Sequence, residues 1–174
     1  MHREILDEYL SQLEILTEKV ERFQNRLEEL TQKETYRDKI GQLRCIKGID
    51  TTVAVTIHAE ISDFDRFPNA KAFASYCGLT PSEDSSGDKT RRLGITKQGN
   101  SMIRTALVEA AQVLVRGVIG KKGKKYHCMI LRGVSRNIAI TAIARELSCF
   151  VWGIETVHLD FFINRFKKIL RKEK

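Results

Sequence analysis

A chain of 174 residues, 42% hydrophobic and 30% charged, has room for one ordinary domain with an appendage and is too apolar to remain unfolded. No apolar run approaches the length of a membrane span, and the N-terminus opens on a polar, acidic helix pattern; neither a membrane partner nor a secretory signal is expected. The four cysteines (Cys45, Cys77, Cys128, Cys149) form no CxxC pair and the four histidines (His2, His58, His127, His158) are equally scattered, which argues against a zinc site or disulfide framework and for reduced thiols in a cytosol; no metal site is assigned.

The net charge of +8 is unevenly placed. Residues 1–40 carry seven Lys/Arg against ten Asp/Glu, and residues 41–88 carry four against seven. Residues 89–145 carry thirteen against the single acid Glu109, and the last 29 residues six against four. A solvated face normally mixes both signs. A 57-residue block of one sign fits a polyanionic partner instead, and nucleic acid is the commonest such partner in a cytosol.

The first segment is a heptad pattern. Leu6, Leu13, Val20 and Leu27 fall at a, and Tyr9, Leu16, Phe23 and Leu30 at d, four heptads without a polar interruption. The pattern predicts self-association through residues 1–35. A single helix packed on its own domain is the competing reading, weakened by the narrowness of the stripe. Parallel or antiparallel pairing, or an intramolecular hairpin, stay open, because Gln12, Thr17, Gln24 and Thr31 at e and g are uncharged.

The pattern breaks at Gly41, and residues 43–57 read as a short helix, a tight turn at Lys47-Gly48-Ile49, and a second helix capped by Asp50 or Thr51. The β-branched run Val53–Ile57 suits a strand by propensity, but the preceding Gly-turn and the apolar Ala54, Ile57, Ala59 and Ile61 favour a helix. The pair resembles a helix-hairpin-helix element. The usual second glycine of that hairpin is Asp50 here, a poor neighbour for phosphate, so a structural role is favoured over DNA contact.

Phe64–Asn69 reads as a turn, with Pro68 or Asn69 opening a short helix through Phe73 and Tyr76 that stops at Gly78. Residues 79–99 read as a long polar loop, of the kind that is usually functional. Asn100 or Ser101 then caps a helix with Ile103, Ala106, Leu107, Ala110, Ala111, Leu114 and Val115 on one face, ending by Gly117. A Lys/Gly link over residues 120–125 leads to Tyr126–Leu131, a further helix runs from Asn137 towards Trp152, and an amphipathic stretch from Val157 to Leu170 closes the chain. Nothing demands a sheet. The expectation is all-α: a coiled-coil arm over residues 1–40, a compact helical domain over 41–160, and a basic tail over 161–174.

Chemistry concentrates in the loop. Ser85 and Ser86 precede Gly87, with Asp84 and Asp88 beside them and Arg91, Arg92 and Lys97 following. A serine hydroxyl attacks phosphorus or a carbonyl carbon only where loss of its proton is made easier, and nearby cations stabilise charge on a phosphoryl oxygen. Ser-Ser-Gly is also ordinary turn chemistry, and composition alone favours that reading. No GxSxG elbow and no Walker loop exist, which argues against acyl transfer and P-loop chemistry.

The run from Asp65 through Tyr76, Gly78, Leu79, Thr80 and Pro81, then Ser85-Ser86-Gly87, Arg92, Thr96-Lys97, Gly99-Asn100 and Arg104, resembles the C-terminal domain of the IS-one-ten type insertion-sequence transposases, also described as bridge-RNA-guided recombinases. Tyr126, Arg132-Gly133 and Ala139–Leu147 continue the likeness, which spans roughly residues 40–155. The resemblance implies DNA strand exchange through a covalent phosphoserine link, with DNA and a guide RNA as partners and a bacterial, nucleoid-associated cytoplasmic setting. The family's nucleophile is the serine before the glycine of this loop, which maps onto Ser86, with Ser85 its nearest competitor. The resemblance also implies an N-terminal RuvC-like domain whose four carboxylates bind magnesium, joined by a coiled coil. Residues 1–40 do not supply it, so the chain reads as coiled coil plus serine domain, without a cofactor of its own and inactive alone.

Two functional expectations follow. In the first, Ser86 is the nucleophile and Arg91, Arg92, Lys97 and Arg104 bind phosphate, aided by the backbone N–H groups of the helix starting near Asn100. Lys121, Lys122, Lys124 and Lys125 grip DNA or guide-RNA backbone further out. In the second, the chain is a non-enzymatic architectural protein that binds DNA and dimerises through its coiled coil.

Overall fold

The computed structural model describes residues 2–86, 89–116 and 121–156, with the side chains within them except those of residues 83–93, 121 and 122. Among the described residues the chain forms seven helices and one two-stranded hairpin, an all-α class.

Helix α1 (His2–Thr31) is a 30-residue arm, about 45 Å long at 1.5 Å per residue. Its heptad positions face solvent: Tyr9 is 68% exposed, Leu13 61% and Phe23 50%. Ile5, Leu10 and Ile15, outside a and d, are exposed as well and widen the stripe towards the N-terminus. Among the described residues only its C-terminal end is anchored, against α2 (Glu34–Arg44) and α3 (Thr51–Ile61), where Thr31 is buried. The helical break falls at residues 32 and 33 and not at Gly41, which lies inside α2. Glycine costs about 1 kcal/mol in a helix interior. Burial of Ile40 and Leu43 on the same short helix outweighs that.

The turn over residues 45–50 leads into α3, whose first turn is capped by Asp50: its carboxylate accepts the Val53 N–H at 2.8 Å. The β-branched run is therefore helical, with Ala54, Ile57 and Ile61 buried on one face. Helix α4 (Ala70–Tyr76) is capped the same way by Asn69, which accepts the Ala72 N–H at 2.9 Å. Around it Phe64 and Phe67 pack on Phe73 with ring centroids 5.5 and 5.2 Å apart, and the Trp152 indole N–H donates to the Phe67 carbonyl at 3.2 Å.

Residues 79–99 depart from the expected loop. Strand β1 (Pro81–Ser86) pairs antiparallel with β2 (Lys89–Ile95), with a register irregularity between Pro81 and Glu83. These strands lack apolar alternation, the signal on which a strand is normally read. The register accounts for the pairing instead: Glu83 stands opposite Arg92 and Asp84 opposite Arg91, an arrangement of opposite charges that favours a ladder. Gly87 and Asp88 lie outside the described residues.

Helix α5 (Ser101–Arg116) buries Ile103, Ala106, Leu107, Ala110, Ala111 and Val115, the face expected from its periodicity. Helix α6 (Lys121–Leu131) begins earlier than anticipated, because residues 121–125 are helical and not a link. Lysine is a good helix former, and α6 packs on α5 and α7 with Gly123 buried. Helix α7 (Arg136–Glu155) is the central element, packed on α5, α4, α6 and α2. It is long and apolar enough to meet the length and composition of a membrane span, contrary to the expectation that no segment would be. Its apolar residues serve the core: Ala139, Ile143, Ala144, Leu147 and Val151 are all buried. Each such Leu, Ile or Val contributes about 1.5–3 kcal/mol by leaving water. The stretch from Val157 to Leu170 and the basic tail lie outside the described residues.

Candidate nucleic-acid interface

The hairpin is mounted on the helical body by a compact knot of backbone bonds. The Thr96 N–H donates to the Thr80 carbonyl at 2.9 Å, Lys97 N–H to Gly78 at 3.2 Å, and Asn100 N–H to Tyr76 at 3.0 Å. The Ser82 hydroxyl adds a bond to the Gly94 carbonyl at 2.9 Å. Two glycines make this approach possible. A Cβ on Gly99 (φ +123°) would sit 2.0 Å from the Tyr76 carbonyl oxygen, and one on Gly78 (φ +65°) 2.6 Å from the Arg104 guanidinium.

Arg104 and Asn100 work inside this knot. One terminal nitrogen of Arg104 donates to the Cys77 carbonyl at 3.2 Å and the Lys97 carbonyl at 3.1 Å, tying the end of α4 to the strand leaving the hairpin. The Asn100 side chain accepts the Ile103 N–H at 3.0 Å, capping α5, while its amide nitrogen donates to the Glu60 carboxylate on α3. Both therefore have protein partners, and these bonds hold the hairpin's foot in place. Lys97 is exposed at that foot and sits in the left-handed backbone region, φ +54°.

Ser86 stands at the end of β1, in register with Lys89 across the ladder, and Ser85 with Thr90. Arg91 and Arg92 lie on β2, and the backbone thus brings the serines and the arginines onto one ribbon. The side chains of Ser86, Arg91, Arg92, Lys121 and Lys122 lie outside the described ones. Lys124 is exposed on α6, and Lys125 forms an ion pair with Glu146 of α7. Lys97 and Lys125, remote in sequence, meet across one groove between the hairpin's foot and α7.

The same groove takes in Asn137, Thr141 and Arg145, which sequence reasoning passed over. Their spacing of four residues, a polar line on one face of an apolar helix, was the available signal. The thiols nearby are not competing nucleophiles. Burial, with Cys149 adding to it, pushes the Cys77 thiol up to about 12, and burial raises Cys149 as well.

A basic face that binds a polyanion works through counterion release, so its affinity falls linearly with salt on a logarithmic scale. Replacing Lys121, Lys122, Lys124 and Lys125 by Gln is expected to flatten that slope for duplex DNA by about 0.9 for each phosphate left without its lysine. Fluorescence anisotropy between low and moderate salt measures it, and an unchanged slope and affinity would make α6 a solubility feature.

The helical body matches known proteins. Residues 41–128, just over half of the chain, match the family model described as Transposase IS116/IS110/IS902 family. The chain is 35% identical over 136 residues to the putative transposase y4qE of Sinorhizobium fredii, covering 64% of this chain and 35% of that protein. It is 30% identical over 131 residues to the transposase for insertion sequence element IS1111A of Coxiella burnetii, covering 74% and 36%. It is 24% identical over 153 residues to a probable family 20 transposase of Pseudomonas aeruginosa, covering 87% and 44%. The chain spans between a third and a half of the length of these relatives. With the family model running unbroken from the end of α2 through the hairpin and into α6, this chain belongs to the IS116/IS110/IS902 transposase family.

Proposed function

We propose that this chain is the serine-bearing part of a DNA transposase, in which Ser86 attacks a DNA phosphodiester. The observation that carries the reading is the family match over residues 41–128, which contains the whole hairpin. In the step, the Ser86 oxygen bonds to phosphorus, the bond to one deoxyribose oxygen breaks, and that oxygen leaves with the proton the hydroxyl gave up. The product is a phosphoserine ester that keeps the phosphodiester's free energy, so an incoming strand end reverses the step on a new partner. Arg91 and Arg92, on the ribbon itself, neutralise the phosphoryl oxygens, which repel an attacking oxygen until their charge is offset, and Lys97 at the ribbon's foot binds a phosphate further along the strand. Asn100 and Arg104 position the ribbon that carries them. Lys121, Lys122, Lys124 and Lys125 grip the backbone of DNA or of a guide RNA, and α1 pairs with a second copy. A DNA substrate sets the work in the bacterial cytoplasm.

Among the described residues no three His, Cys, Asp or Glu side chains are grouped to share an ion, so the magnesium that the family resemblance implies does not fit the residues described here. The chain spans 35–44% of the relatives' length, and we assign strand cleavage to a protein of their full length, with DNA binding as the part this chain contributes.

The test uses the longer protein with its nucleic-acid substrates and looks for a protein–DNA adduct that survives denaturation. Ser86→Ala is expected to abolish the adduct, whereas Ser85→Ala leaves most of it. An adduct lost with Ser85→Ala and kept with Ser86→Ala moves the nucleophile by one residue. If it survives both changes, the hairpin takes no covalent part, and the architectural reading, DNA binding without chemistry, replaces this one.

A further inference from the structure

We infer that the groove between the hairpin's foot and α7 holds one unstacked nucleotide of a DNA strand, the base on its apolar floor and the phosphate at its cationic rim. This rests on the reading that the chain binds DNA, and adds a site that the serine chemistry does not itself require.

The groove measures about 660 Å³, within the roughly 300–1,000 Å³ range of small-ligand sites. Leu79, Ile95, Ile138 and Ala142 form its apolar part. Leu79 is fully buried at the bottom, while Ile138, a large aliphatic in the first turn of α7, is 62% exposed. A flat apolar face laid over Ile138 removes that surface from water, and aliphatic side chains set against bases are how many DNA-distorting proteins hold an unstacked step.

Charge selects the ligand class. Lys97 and Arg145 stand at the groove, and its one acid among the lining residues, Glu146, is ion-paired with Lys125, so the balance is cationic. The ligand is therefore anionic and apolar at once, which describes a nucleotide. Lys97 is held there by an uncommon backbone: its φ of +54° is maintained by its own N–H bond to Gly78 and by the Arg104 bond to its carbonyl. Strain of this kind persists where the surroundings over-determine it, and it gathers at ligand clamps.

Hydrogen-bonding groups complete the match. The Thr141 hydroxyl donates to the Asn137 carbonyl at 2.7 Å, which leaves its oxygen as an acceptor towards the groove's ligand. Asn137, exposed on the preceding turn, offers both a donor and an acceptor. A base edge needs such a mixed set. The position fits as well, since Pro81, Gly94 and Ile95 belong to the strands that lead out to Ser86. A DNA strand crossing the ribbon passes a neighbouring nucleotide over this groove.

The experiment uses the 174-residue chain, isotope-labelled for amide NMR and titrated with deoxyadenosine monophosphate, with inorganic phosphate as a parallel arm. The nucleotide is expected to shift the amides of Gly94, Thr141 and Ala142, and phosphate at equal concentration to leave them in place. In anisotropy, Ile138→Gln, a neutral change at an exposed position, is expected to weaken a ten-nucleotide single strand about tenfold while duplex affinity stays within twofold. Equal shifts with phosphate alone, or equal losses on single strand and duplex, would overturn the inference. Duplex binding with no response in the groove removes this site and leaves the DNA reading standing; a chain that binds no DNA of either form removes both.

Discussion

Gly99→Ala is expected to lower the stability of the chain by about 3 kcal/mol, the upper range for forcing an atom into a packed site, with a further cost for the φ of +123° that alanine disfavours. The atom that would have to move is the Tyr76 carbonyl oxygen, 2.0 Å from the added carbon, and that oxygen already accepts the Asn100 N–H. Gly48→Ala is expected to behave alike, because its Cβ would meet the Ala110 carbonyl oxygen at 2.4 Å with φ at +95°. That geometry also says what the α2–α3 turn is for: its glycine lets the turn press against the backbone of α5. Two other glycines serve as controls. Gly133 has a positive φ but open space around its missing Cβ, so its alanine variant loses only about 1 kcal/mol. Gly41 lies in a helix with open space, so Gly41→Ala gains roughly 0.5–1 kcal/mol. Urea midpoints at constant m-value measure the series, and a Gly99 variant as stable as the parent would contradict the close packing at the hairpin's foot.

The second large effect is expected on mass. Leu16 and Phe23 are 58% and 50% exposed on α1, at d positions of the heptad stripe. Pairing two such arms removes both stripes from water, at about 25 cal/mol for each Å² of apolar surface covered. Leu16→Asp with Phe23→Asp places charge in that seam, and sedimentation is expected to show the assembly fall to single chains while the helical body keeps its unfolding midpoint. A parent chain that already sediments as a monomer would refute pairing through α1.

The helices were legible because their signals are local. Each of three N-termini was narrowed to two neighbouring residues, and the structure selects Asp50, Asn69 and Asn100, each accepting an N–H one turn on, while the periodicity of α5 gave its buried face. The ribbon was not legible, because polar strands leave no alternation to read and their register is decided by pairing. The knot at its foot was hidden for a different reason. Arg104 reaches the Cys77 carbonyl across 27 residues, and Asn100 reaches Glu60 across 40, so two side chains that look like phosphate ligands in sequence have protein partners in space. Ser86 stood out in sequence only through its family resemblance, since Ser-Ser-Gly in a polar stretch says little by itself.

The ribbon's mounting has a mechanical consequence. A two-stranded hairpin by itself is marginal in water, and among the described residues no third strand stiffens this one. It behaves as a lever clamped at one end, with the bonds of Thr96, Lys97 and Asn100 as the clamp. The six residues of β1 put Ser86 about 17 Å from that clamp. A tilt at the clamp of only about 3° then swings the tip through roughly 1 Å, an error that can cost a reaction about a hundredfold in rate. Side chains whose bonds build that foot, Arg104 and Asn100 foremost, thereby acquire leverage over the chemistry proposed at Ser86.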